Sequence, residues 1–360
     1  MAEPIDVGAA HAAVAGTDFE VVYAVAPGGV EGGYLIPMGL MVDGRTAAVQ
    51  VPAGASDGGP WLAAPMSVGV LDGGTFTPFA AAAAIEGDHP RQAFDLSVAD
   101  GVTAWLESDS TNVGTPRWRV FSAGRDGRTT LVARAEEVGD GGTSMTDATA
   151  LWHGRVYWAA GEPGRMDVYS RAADGTGPVV SVATGASQPA AAGTGVAVVR
   201  SERDDTALAP GEARVELVVD GREQHAVVTW SGDPGSSVVD LVADGAVLAF
   251  VTITSTQSGG RLYVLDAAAR TARTVELRGS GREASVALCD GRLQWSEADG
   301  QGLGSSAPTY VLDVASGDLA SIDVDHAYAG AFCGGGYLAW KQLDAATGMS
   351  ASTVVARWDR

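Results

Sequence analysis

The sequence predicts an all-β fold, a seven-bladed β-propeller of four-stranded antiparallel blades whose ring is closed by an N-terminal strand completing the last blade. Three observations predict it. Tight-turn signals recur about forty to sixty residues apart, at Asp43-Gly44, Asp100-Gly101, His153-Gly154, Gly193-Thr194-Gly195, Asp244-Gly245, Asp290-Gly291 and Gly335-Gly336. An aromatic follows the glycine within the next strand in most copies: Trp105, Trp158, Phe250, Trp295 and Trp340. A third-strand pattern also recurs seven times, at 67–72, 118–121, 166–169, 215–220, 262–266, 310–313 and 353–359.

The stretch from Glu283 to Asp325 contains one whole unit. Its apolar run 284–289 turns at Asp290-Gly291, where positive φ is needed for a two-residue hairpin, and returns through Trp295. A polar loop leads into the third strand, and a Ser316-Gly317 turn leads into the fourth. On these residues the chain resembles the TolB-type and WD-repeat-like propellers, which pair an Asp-Gly-like turn with a second-strand aromatic and a third strand like Tyr310-Val311-Leu312-Asp313. The resemblance covers nearly the whole chain and implies a fold; its motifs carry no catalytic residues.

In chain order, residues 1–17 read as a loosely held polar and alanine-rich tail. Phe19 to Val25 is a strand without a hairpin partner, and residues 18–27 are expected to supply the outer strand that the last blade lacks, by pairing with Thr353 to Trp358. The blades are expected at about 34–83, 91–136, 145–184, 187–230, 236–279, 283–325 and 327–360, all within a single propeller domain. Blades one and four lack the aromatic. The other second-strand aromatics are read as wedges between blades. Burying each removes about 150–250 Å² from water, an upper estimate of about 4–6 kcal/mol.

A formal net charge of -21 opposes nucleic acid and anionic membrane surfaces, and no basic run compensates for it. Many of the acids fall at repeated turn positions, such as Asp72, Asp220, Asp266 and Asp313, and read as a solvated rim. Lys341 is the only lysine and lies within a predicted strand, which disfavours phosphate-loop and Schiff-base chemistry. Cys289 and Cys333 stand in the same register before successive turns. A disulfide is open to them, but Ala99, Ala243 and Val42 at the matching places favour two small buried thiols. No leader-like segment and no bilayer-length apolar window is present, so a cytoplasmic address is expected.

Chemistry in a propeller concentrates on the face bearing the longer loops, here 108–116, 201–211, 254–260, 297–307 and 344–350. Two blade-to-blade connections put histidine beside carboxylate: Asp88-His89 with Arg91, and Asp325-His326. Such groups serve general acid-base chemistry, with Asp88, His89, Arg91 and His326 as catalytic candidates, or hold a divalent metal, with His89, Asp325 and His326 as ligands. The competing reading is two solvated turns. No cofactor is expected. The leading functional expectation is a soluble scaffold that binds a protein or peptide partner through the long-loop face. The alternative is a small-molecule lyase, hydrolase or lactonase at the mouth of the central channel.

Overall fold

Seven twisted antiparallel sheets stand around a central channel in the computed structural model. The structure describes residues 2–26, 34–52, 66–80, 92–108, 118–138, 145–162, 165–201, 208–219, 223–232, 235–254, 259–277, 285–296, 304–305, 308–322, 326–327, 331–343 and 351–359. Each sheet is a blade whose strands run outward from the channel in chain order, apart from outermost strands that the start of the chain adds to blades five, six and seven. In blade two these are Gln92–Ala99, Val102–Ser108, Trp118–Ala123 and Thr129–Arg134.

The tight turns form as their sequences require. Asp100 and Gly101 have φ of 53° and 77°, His153 and Gly154 have 48° and 71°, and Asp290 and Gly291 have 52° and 71°. Positive φ at both central residues is the type I′ condition, so the twist of the turn matches the twist of its strands. At the seam between blades seven and one, Gly334 meets the Leu40 carbonyl so closely that a Cβ has no room.

Second-strand aromatics are wedges, each set against the preceding blade. Trp105, Trp158, Trp295 and Phe250 are at most 1% exposed. Trp295 packs with Val251, Leu262 and Val275 of blade five, and Trp158 with Leu106, Trp118 and Val132 of blade two. Trp340 packs with Val311 and Ile322 of blade six. In five of the seven blades an aromatic thus fills the space that opens between twisted neighbours.

Closure follows the expected route. Phe19–Val25 pairs antiparallel with Ala351–Trp358, completing blade seven with a strand from the opposite end of the chain. Phe19 stacks on Trp358 at 5.7 Å and meets the edge of Trp340 at 5.5 Å.

The preceding residues are not a loose tail. Glu3–Pro4 pairs in parallel with Thr271–Leu277, the outer strand of blade five, and His11–Ala12 pairs in parallel with Leu319–Ile322, the outer strand of blade six. Ile5 N–H donates to the Thr274 carbonyl at 2.7 Å, and Ala13 N–H to that of Ser321 at 2.8 Å. Ile5 and Val7 cover the core between those blades, and the buried Asp18 carboxylate accepts the Val14 N–H at 2.8 Å. The segment is a strap over three successive blades. It is rich in alanine, and main-chain pairing with the packing of Ile5, Val7, Ala10 and Ala13 holds it.

Cysteine chemistry also departs from expectation. Cys289 and Cys333 form a disulfide, with Cα atoms 6.1 Å apart, between the innermost strands of blades six and seven. Equal register on adjacent inner strands brings the two sulfurs together, which the alanines at matching places elsewhere could not reveal. No helix among the described residues is long and apolar enough to cross a membrane.

Candidate functional site

The innermost strands of all seven blades line a channel of about 320 Å³. Its wall is built from side chains such as Leu96, Ala190, Leu241, Val286 and Phe332, with Ser97 and Thr149 as the hydroxyls and no charged side chain among the described residues. At the mouth on the long-loop face, Asp95, Ala148 and Gln188 share a strand position and adopt φ of 49°, 49° and 51°. Each marks a bulge that skips one pairing step. The bulges are tied to their neighbours: Thr149 Oγ1 donates to the Asp95 carbonyl at 2.7 Å, and Gln188 Nε2 to that of Val238 at 3.1 Å. Sequence periodicity could not reveal these three bulges, because a bulge costs one residue of register and leaves composition unchanged.

Of the sequence candidates, Asp88, His89, Arg91 and Asp325 lie outside the described residues, as do most residues of the five long loops. The backbone of His326 belongs to a two-residue strand, His326–Ala327, paired with Ser305 and Gln342 beside blade seven. Among the described residues, no three His, Cys, Asp or Glu side chains group closely enough to hold a metal ion. His153 stacks on Trp152 at 4.1 Å beside a turn on the opposite face, and His225 is exposed.

On the long-loop face, a cleft of about 640 Å³ opens between blades four and five. Blade four contributes the end of its outer strand Glu223–Ser231, with Trp230, followed by Gly232. Blade five contributes Ser236, the end of Val247–Ile253, the start of Gly260–Asp266 and the end of Thr271–Leu277. Tyr263 is stacked on the fully buried Phe250, 4.9 Å between ring centres and 12° from parallel, which fixes its ring. The Tyr263 hydroxyl accepts the Trp230 indole N–H at 3.1 Å and the Arg261 Nη1–H at 3.3 Å.

Alternation along the strand places Arg261 on the same face as Tyr263. Its guanidinium lies 6.0 Å from the Tyr263 ring centre, and its Nε and Nη2 both donate to Glu276 Oε1, the former at 2.8 Å. The hydrogen bonds to Tyr263 and then to Glu276 hold the Arg261 pKa above its ordinary value, although burial opposes this. The pair is solvent-facing, at 45% and 72% side-chain exposure, so its value is orientation more than stability. The result is a positioned guanidinium on an aromatic base, a geometry suited to acceptor groups. Read from sequence, Tyr263 was one more third-strand residue and Trp230 the end of a blade. The adjoining Gly259-Gly260-Arg261, glycines running straight into an arginine that leads a strand, was the signal available.

No family model matches this sequence, and no curated protein matches it. Solved structures do. The β-propeller domain of the trilobed protease from Pyrococcus furiosus superposes with a TM-score of 0.53 at 9% identity, over 94% of this chain and 93% of that one. A prolyl endopeptidase matches with a TM-score of 0.52 at 16% identity, over 75% of this chain and 42% of that one. TolB from Acinetobacter baumannii matches at 12% identity over 91% of this chain and 80% of that one, with a TM-score of 0.40. The chain is a seven-bladed β-propeller. At these identities the likenesses bear on fold alone. The chain spans about half the length of several solved proteins it matches.

Proposed function

We propose that this propeller is a binding scaffold that engages a protein or peptide partner through its long-loop face, with the cleft between blades four and five as the contact. The observation that carries this reading is the preorganised set of Trp230, Tyr263, Arg261 and Glu276 on that face. Each is oriented by a neighbour rather than left to swing in solvent. Preorganised polar groups on a rigid base lower the ordering cost of binding. The channel, by contrast, presents an apolar wall to anything that enters it.

The experiment is affinity capture from an extract of the native host at low salt, using the wild-type chain and Arg261→Ala in parallel. A protein partner retained by the wild type and lost with Arg261→Ala, while the variant's circular dichroism is unchanged, supports the reading. Retention that ignores the substitution removes the cleft from it. Recovery of a metabolite in place of a protein directs attention to Asp88, His89, Arg91 and His326 instead.

A further inference from the structure

Around the Tyr263 hydroxyl, donors outnumber acceptors: two N–H groups point at one oxygen. Tyr263 Oη accepts from Trp230 and from Arg261, and both of those groups are donors only. The phenolic proton therefore points away from both, and it reaches no acceptor among the described residues. A guanidinium has five N–H donors. Arg261 uses three of them, two toward Glu276 and one toward Tyr263, which leaves two on its terminal nitrogens. One O–H and two N–H groups are thus left over in a cleft whose lining includes Gly259, Gly260 and the Glu276 carboxylate, with the Tyr263 ring held by its stack on Phe250.

We infer that this cleft captures the C-terminal carboxylate of a peptide whose body is neutral or basic. The inference rests on reading the long-loop face as a peptide-binding surface. A carboxylate has two oxygens and a negative charge, so it can accept the Tyr263 O–H and the free Arg261 N–H groups together. No proton transfer is required. The chain's net charge of -21 repels an acidic ligand body and draws a basic one, which restricts the single negative group to the end that enters the cleft. A peptide backbone can approach Gly259, where nothing stands within 4 Å of the place a Cβ would take.

The test follows the indole N–H resonance of Trp230 by nitrogen–proton correlation spectroscopy, identified among the nine tryptophans by its loss in Trp230→Phe. Three probes are titrated: the free acid Ac-Gly-Lys-Gly-Leu-OH, its C-terminal amide, and the amide Ac-Gly-Lys-Glu-Leu-NH2. The free acid is expected to shift the resonance at least about tenfold more tightly than either amide, and Tyr263→Phe, which keeps the ring stack, is expected to weaken it about tenfold. Equal effects of acid and amide, or none from any probe, overturn the inference. A shift caused only by the glutamate peptide also overturns it, since the cleft then reads a side-chain carboxylate. If terminal capture fails while partner retention still depends on Arg261, the scaffold reading survives alone; if both fail, neither stands.

Discussion

Trp230 and Tyr263 join blades four and five through one hydrogen bond, with the indole N–H donating to the phenolic oxygen at 3.1 Å. The residues are thirty-three positions apart and belong to different sheets. The bond therefore links the two walls of the cleft and turns the Tyr263 proton away from Trp230. A double-mutant cycle of Trp230→Phe and Tyr263→Phe is expected to give a coupling of about 0.5–1.5 kcal/mol in chemical denaturation. Strict additivity would place the two groups out of contact.

Trp295 is fully buried against blade five. Trp295→Ala is expected to cost about 3–5 kcal/mol through lost packing and the cavity left behind, read as a lower urea midpoint with an unchanged m-value. Phe19→Ala, at the ring closure, is expected to fall in the same range because it removes both the Trp358 stack and the Trp340 edge contact. An effect below about 1 kcal/mol at Phe19 would mean the closing strand contributes little.

The disulfide predicts chemistry that is simple to read. Protein purified without reductant should take up no iodoacetamide when denatured, and after reduction it should take up two equivalents, one for each cysteine. Cys289→Ala with Cys333→Ala should lower stability by roughly 2–4 kcal/mol, given the 44-residue separation that the bond constrains in the unfolded chain. Two reactive thiols in freshly purified protein would restore the free-cysteine expectation.

Lys341 gives a pH dependence with a definite sign. Burial lowers its pKa below the ordinary 10.5, so between the folded and unfolded values the unfolded chain holds the proton more often. Stability from this group therefore rises with pH across that window and is absent below it, where the ammonium must be buried with its charge. Lys341→Met is expected to stabilise the fold at neutral pH, with the advantage shrinking as pH approaches 10.5. Destabilisation by Lys341→Met at neutral pH would contradict this.

What could be read in the sequence was whatever repeats. Asp100-Gly101, His153-Gly154 and Asp290-Gly291 announce type I′ turns because few residues tolerate that backbone, and Trp105, Trp158 and Trp295 recur because each fills the gap to the preceding blade. The strap escaped because Glu3–Pro4 and His11–Ala12 pair over two residues each, too short for any period to register. The disulfide escaped because register gives equivalence between strands and says nothing of distance. The cleft escaped for a related reason: Trp230 and Tyr263 each fit a strand pattern, and only their meeting across a blade boundary makes them a site.

The most direct test of the central claim is hydrogen exchange on the propeller with its captured partner bound, compared with the propeller alone. The account predicts new protection at Trp230 to Gly232 and Gly259 to Tyr263, with the tight turns at Asp100-Gly101 and Asp290-Gly291 on the opposite face unchanged. Protection confined to those turns, or none at the cleft, would contradict it.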